Sequence, residues 1–342
     1  MYMFKYICKR FGLMIMTFAI IFCICFTLIK LLPITIPVSI GTDRAIAEAQ
    51  LKARGYFDPI PDQFIRYVKR VFQGDFGIGV TMPEYVGKPV SEAFIERLPP
   101  TILINIYSSL LAVPIGIALG IFAALKKNKW QDHLISTAVM VVISVPSFVY
   151  ASLLLYTLCF KLQWFPLEMI ELPEMVNILK GQGIVREYVP GTFNWGLYFN
   201  KDMFVSMLPA VFAMSFGSIA GYARFTRAEL TEVLTSEFML LARTKGLTKS
   251  QATVRHALRN AMVPIFPSIV GEFISVLSGS LIIEKIFGIP GVGQLYLTAI
   301  NSQDYDFFMM LSAFYLLVSL VAGLVIDLSY GVIDPRIRMG AK

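Results

Sequence analysis

Charge is what this 342-residue sequence has least of: Asp, Glu, Lys and Arg make up 15% of it, against about 25% in an ordinary globular chain. Histidine occurs twice, at His133 and His256. No G-x-x-x-x-G-K-[ST] run is present, so there is no phosphate-cradling P-loop on the chain. No His or Cys cluster falls in the apolar stretches and no spaced His, Asp or Ser set appears, which leaves neither a metal centre nor a nucleophilic enzyme. The four cysteines, Cys8, Cys23, Cys25 and Cys159, lie in or beside apolar runs at spacings that suit neither a disulfide framework nor zinc. What is abundant is hydrocarbon, with 56% hydrophobic residues and a mean hydropathy of +0.67. That balance excludes a soluble enzyme, a disordered chain and a nucleic-acid-binding domain. The net charge of +7 is accounted for by Lys and Arg kept in loops for topological reasons.

Crossing roughly 30 Å of hydrocarbon as helix takes about 20 apolar residues. Six windows qualify: 11–32, 101–125, 134–160, 204–222, 262–284 and 307–333. The fold class predicted is therefore all-α, a polytopic membrane protein with six transmembrane helices. Segments 1–10, 126–133, 223–261 and 334–342 hold 16 Lys and Arg in 66 residues, whereas 33–100, 161–203 and 285–306 hold 13 in 133. Basic short loops resist translocation, so both termini are expected in the cytoplasm. The chain divides into an anchor helix with a long extracytoplasmic loop (1–100), a five-helix core with a cytoplasmic loop at 223–261 (101–333), and a short tail (334–342).

The first window follows Lys5, Lys9 and Arg10 but is too long for a signal h-region and has no A-x-A-like site before Pro33, so it is expected to stay as an anchor. Lys30 at its end is expected to snorkel toward the outer headgroups. In the long outer loop, Phe64, Tyr67, Val68, Val71 and Phe72 share one face of a helix opened by Pro61 and closed by Gly74, with Arg66, Lys69 and Arg70 opposite. This helix reads either as an interfacial cover for the outer mouth or as a docking site for another protein.

Small residues let membrane helices approach closely. Gly116 with Gly120, Gly217 with Gly221, and the stripe Gly271, Ser275, Gly279 have the required four-residue spacing. They serve packing within the chain or contact with a second membrane subunit. Pro114, Pro146, Pro209, Pro264 and Pro267 interrupt backbone hydrogen bonding and bend their helices. Glu272 sits at the midpoint of the fifth window, where an ionised carboxylate cannot face lipid cheaply; it lines a water-filled path or is a hydrogen-bonded structural acid. Asp327 is expected to pair with Arg336 or Arg338.

The 223–261 segment carries the strongest local signal. Ser236 is placed to cap a helix through Glu237, Phe238, Met239, Leu240, Leu241 and Ala242 that ends at Gly246. Thr248 with Gln251 forms a capping box that opens a second helix running through Arg255, His256, Arg259 and Asn260 into the fifth span. Two short helices meet at a sharp corner, either floating on anionic headgroups or entering a groove on a cytoplasmic protein.

The run Ala242-Arg243-Thr244-Lys245-Gly246-Leu247, followed by Arg255-His256-Ala257-Leu258-Arg259-Asn260-Ala261 and Pro264, resembles the signature loop of the dipeptide, oligopeptide and nickel ABC importer permeases. Further landmarks follow in family order. They are Gly74-Asp75-Phe76-Gly77, Arg97-Leu98-Pro99 with Thr101, Ser144-Val145-Pro146-Ser147-Phe148, Tyr222 through Arg227, Phe287 through Gly293, Asp304-Tyr305, and Asp334-Pro335-Arg336-Ile337-Arg338. The long loop after the first span is similar to that of the family's B-type subunit. Two departures stand out: Leu32-Pro33-Ile34-Thr35 replaces the family's Pro-Gly-Asp-Pro, and Leu240-Leu241-Ala242 replaces the Glu-Ala-Ala of the general loop.

The resemblance implies a type I ABC importer permease in a bacterial cell membrane, moving oligopeptides or dipeptides inward and itself no enzyme. Its implied partners are a second homologous permease subunit, two cytoplasmic ABC ATPase subunits, an extracytoplasmic substrate-binding protein and membrane lipid, with no nucleic acid. No cofactor is implied on this chain; ATP and Mg belong to the ATPases. ATPase coupling is implied for Glu237, Leu240, Leu241, Ala242, Arg243, Lys245, Gly246 and Leu247. A translocation path is implied at Glu272, Ser144, Pro146 and Ser275, and an outer gate loop at Phe287, Gly288, Pro290, Gly291 and Gly293. Nickel or another small solute is the alternative cargo, and a proton-coupled secondary transporter using Glu272 is the rival mechanism.

Overall fold

The computed structural model describes residues 2–31, 44–53 and 55–333. In chain order the helices are α1 (Tyr2–Lys30), α2 (Arg44–Ala53), α3 (Ile60–Phe72), α4 (Val90–Leu125), α5 (Trp130–Ser144), α6 (Ser147–Leu154), α7 (Leu172–Gly181), α8 (Trp195–Tyr198), α9 (Lys201–Leu234), α10 (Glu237–Thr244), α11 (Lys249–Ala252), α12 (Leu258–Ser275), α13 (Leu281–Ile286), α14 (Val292–Asn301) and α15 (Tyr305–Ile333). Two isolated bridges, Ile78 with Pro89 and Gly79 with Val86, are the extended pairing among the described residues.

Four helices, over Ile7–Lys30, Val90–Leu125, Lys201–Leu234 and Tyr305–Gly331, are long and apolar enough to cross a membrane unbroken. The third window is divided: α5 and the helix beginning at Ser147 meet at an angle of 99°. Val145 is extended (ψ 127°) and Pro146 follows with ψ 141°, as the residue before a proline is pushed out of the helical region. The fifth window also ends early. α12 stops at Ser275, Gly279 turns with φ +64°, and Ser280 accepts a hydrogen bond from the Ile283 amide to open α13. At 1.5 Å per residue α4 is about 54 Å long and α9 about 51 Å, so both project beyond the hydrocarbon. The expected loop at 223–261 accordingly begins as twelve more residues of α9.

α4 and α9 form the central pair. A Cβ at Gly116 would strike Tyr222 Cβ and the Ile219 carbonyl, and one at Gly120 would strike Thr226 Cβ and the Ala223 carbonyl. The first G-x-x-x-G is thus a close contact within the chain. The second is not: Gly221 faces open space. The fifth-span stripe is likewise split, since Gly271 lies under Ile326 of α15, Ser275 is exposed and Gly279 is outside the helix.

α1 runs antiparallel to α15. At one end Arg10 Nη1 lies 2.7 Å from Asp327 Oδ2, so Asp327 pairs with Arg10. The expected partners, Arg336 and Arg338, lie outside the described residues, as do Leu32–Thr35. At the other end Lys30 does not snorkel outward. Its Nζ sits 4.5 Å from the Tyr56 ring centroid and 5.5 Å from that of Tyr305, because three aromatic faces give an ammonium a better site than partial hydration does. α3 is the expected amphipathic helix, closed by Gly74 at φ +79°. Its apolar face packs on the first span, with Phe64 and Tyr67 against Phe22 and Phe26.

Candidate coupling corner and translocation elements

On the side carrying the basic loops, α10 and α11 make the predicted corner. The Thr248 and Gln251 capping box is present: the Gln251 amide donates to Thr248 Oγ1 (3.3 Å) and the Thr248 amide to Gln251 Oε1 (3.1 Å). Gly246 takes φ +89° with open space where a Cβ would stand, so the glycine is there for backbone conformation and leaves the corner bare. Ser236 precedes α10 as expected but does not cap it through its side chain; its hydroxyl donates to the Val233 carbonyl. Ala242 is buried with Met239, Ala252, Ala257 and Ala261 against Leu230 and Ala124, seating the corner on its own chain. The outward face of α10 carries Leu240 and Leu241, 64% and 61% exposed, and the exposed Arg243, with Glu237 at its start and Lys245 and Leu247 closing the corner.

On the same side lies an ion pair that motif reading did not single out. Arg227 donates through Nε and Nη2 to the two oxygens of Asp132, at 2.5 and 2.9 Å, and the Asn128 amide adds a third bond at 2.9 Å. Asp132 is 1% exposed. The pair ties α9 to the start of α5, and the left-handed Asn128 (φ 63°) turns the chain between α4 and α5 so that its N–H reaches the carboxylate.

On the opposite side, the 287–293 loop wraps a buried carboxylate, Glu284, which is 2% exposed. Thr101 Oγ1 donates to Glu284 Oε1 (3.0 Å) while accepting from the Val292 amide (2.8 Å), and the Gln294 amide donates to Oε2 (3.0 Å). The glycines are explained by this group: a Cβ on Gly291 would collide with Glu284 and Thr101, and one on Gly293 would stand 2.8 Å from Glu284 Oε2. Gly288 turns at φ +59° beside Glu168, Pro290 follows, and the buried Phe287 accepts the Met169 amide at 3.2 Å. The sequence signal for Glu284 was available: an acid ending the run Leu281-Ile282-Ile283, followed by a glycine cluster with no other purpose.

A second carboxylate closes the long loop. Asp304, fully buried, accepts at Oδ2 from the amides of Val80 (2.7 Å), Thr81 (2.8 Å) and Met82 (3.3 Å). Asp306 Oδ2 accepts from the Ile78 amide at 3.3 Å and lies 3.9 Å from Arg70 Nη2. Arg70 also holds Asp75 at 2.9 Å, and this bond keeps the Asp75 carboxyl below the usual range. Nearby, Tyr188 donates to Glu96; burial first, and then that negative charge, pushes its phenol up to about 12. These contacts gather 75–101, 168–191 and 284–306 on one side, while Asn128, Arg227 and the corner gather on the other.

The expected path residues are distributed rather than joined. Glu272, half-buried, accepts from Ser218 Oγ of α9 at 2.7 Å, the arrangement of a hydrogen-bonded acid between two spans. Ser275 Oγ donates to the Glu272 carbonyl and Ser144 Oγ to the Met140 carbonyl, each spent on its own helix. Pro146 marks the 99° break.

Comparison with known proteins agrees with this architecture. The family described as "Binding-protein-dependent transport system inner membrane component" matches residues 116–339. The dipeptide transport system permease protein DppB of Bacillus subtilis strain 168 is 30% identical over 99% of both chains. DppB of Lactococcus lactis subsp. cremoris MG1363 is 31% identical over 98% of this chain and all of the other, and the glutathione transport system permease protein GsiC of Salmonella paratyphi A is 31% identical over 98% and 99%. The chain belongs to the family of binding-protein-dependent transport system inner membrane components, and it is a permease subunit of an ABC importer.

Proposed function

We propose that this subunit moves short peptides into a bacterial cytoplasm, with both termini on the cytoplasmic side. It pairs in the membrane with a second, homologous permease, and two ABC ATPases drive it by binding and hydrolysing Mg-ATP. An extracytoplasmic binding protein delivers cargo to the side that carries Glu284 and Asp304. The observation that carries this reading is the corner at α10 and α11: an alanine-seated short helix whose outward face is Leu240, Leu241 and Arg243, beside a glycine with nothing in front of it. An apolar pair exposed on a two-helix lever is what a groove on a cytoplasmic partner would grip. The peptide cargo is supported by near-full-length similarity to permeases named for dipeptide and glutathione transport.

Closure of the ATPases on ATP would displace the corner, and the displacement reaches the spans through α12, which continues from α11, and through α9, tied to α5 by Arg227 and Asp132. Each ligand biases the inward-open and outward-open states only by its differential affinity for them. The test is reconstitution of the copurified complex in liposomes with ATP-dependent accumulation of di-, tri- and oligopeptides, glutathione and nickel. Peptide uptake that requires ATP and the binding protein is expected. Uptake of nickel alone, or uptake by the isolated chain without nucleotide, overturns it. Gly246→Val is expected to leave insertion intact while cutting ATP-driven uptake at least about tenfold, since the residue requires a backbone conformation that β-branched side chains avoid.

A further inference from the structure

Beside Pro290 of the 287–293 loop lies a charged cleft. Two adjoining hollows of about 300 and 510 Å³ share Glu84, Arg97, Glu171 and Pro290, so the first turns of α4, the start of α7 and the 287–293 loop close around one space. Small ligands are held in spaces of this size, roughly 300–1,000 Å³. The charges that line it do not balance: Glu84, Glu96, Glu168 and Glu171 stand against Arg97 and Lys285. Two of the acids are spent, Glu96 on the Tyr188 hydroxyl and the Gly191 amide, and Glu84 on Arg97 at 3.5 Å. Glu168 and Glu171 are exposed, and their carboxylates accept no hydrogen bond among the described residues.

An independent feature points to a ligand. Tyr198 ends α8 and is 2% exposed, yet its hydroxyl, turned to the smaller hollow, has no hydrogen-bond partner among the described residues. Buried polar groups are almost always bonded, so this phenol is a donor in want of an acceptor. Burial pushes it up, so it keeps its proton and can donate. A carboxylate does not suit as that acceptor, because the surplus negative charge of the cleft repels it, and Arg97 is already bonded to Tyr85 Oη at 2.8 Å and to Glu84. A neutral carbonyl next to a cation satisfies both the phenol and the open carboxylates, and a peptide carries that pair at its amino terminus. We propose that this cleft receives the amino-terminal end of the cargo peptide, with the ammonium on Glu171 and Glu168 and the first carbonyl on the Tyr198 hydroxyl. This site deepens the peptide-import reading above and rests on it.

The experiment uses the assembled importer in proteoliposomes with its binding protein, a radiolabelled tripeptide, and a photo-crosslinking residue in place of Leu172, which lines the cleft. Irradiation during ATP-driven uptake is expected to join the tripeptide to this chain. Glu171→Gln should lower the yield about threefold, the scale of an exposed ion pair, and Tyr198→Phe about fivefold, the scale of one hydrogen bond. Glu171→Lys should lower it at least about tenfold by setting like charges together. Copurification of the other subunits reports that the variants still fold. A yield unchanged by Glu171→Lys and Tyr198→Phe overturns the proposal. So does a crosslink from Leu172 to the binding protein with none to the tripeptide, since a basic side chain of that protein then fills the cleft. Uptake by the unsubstituted importer separates this site from the reading it rests on: peptide uptake with no tripeptide crosslink removes the site alone, whereas absence of peptide uptake removes the cargo reading and the site with it.

Discussion

The two ends of the membrane-spanning bundle are built on opposite principles. On the long-loop side, two buried carboxylates, Glu284 and Asp304, each collect several donors and leave the 77–82 and 287–294 segments tied to the ends of spans. On the other side, no side-chain hydrogen bond leaves α10 for another helix among the described residues; α10 rests on alanine packing and shows two leucines outward. The difference has a mechanical consequence: directional polar bonds hold one geometry, whereas small apolar contacts can slide at little cost, as the lever proposed above requires.

Substitutions sharpen that contrast. Asp304→Ala should have the largest effect, orphaning three amides and a hydroxyl and costing at least about 3 kcal/mol, read as a lowered Tm of the purified complex with early proteolysis of the 75–85 segment. Asp132→Ala leaves the Arg227 guanidinium uncompensated and should cost about 3 kcal/mol by the same measurement, loosening the tie between α9 and α5. Gly291→Ala drives a methyl into Glu284 and Thr101 and should cost about 1–3 kcal/mol, with transport falling in parallel. Leu240→Asp with Leu241→Asp should move stability by no more than about 0.5 kcal/mol yet abolish copurification of the ATPases; retained ATPases would break the comparison.

The smallest effect is a pH dependence. The Asp75 carboxyl is held below its ordinary value by Arg70, so its contribution to loop order is full above about pH 4 and fades as pH falls through the depressed value. Protection of the 73–82 segment from proteolysis should weaken on acidification in the native protein, and Asp75→Asn should flatten that profile.

Much of this was legible before any coordinates. The capping box at Thr248, the turn at Gly246, the amphipathic α3 and the Gly116 and Gly120 contact are local or periodic features, and short-range backbone chemistry dictates them. Side-chain direction was harder to read: Lys30, Ala242 and Asp327 turn toward Tyr305, Leu230 and Arg10, which lie far away in sequence. Glu284 was missed as a centre because its meaning depends on Thr101 and the glycines that close around it.

Composition and spacing alone determined that the chain crosses a membrane as helices, that a two-helix corner lies on its basic side, and that no P-loop run is written in it. Only the folded structure decided which acids sit at the centre of the closed end. The reason is physical: hydrophobic periodicity is written residue by residue, but a buried polar group is satisfied by whichever donors the packing of distant helices brings within about 3 Å.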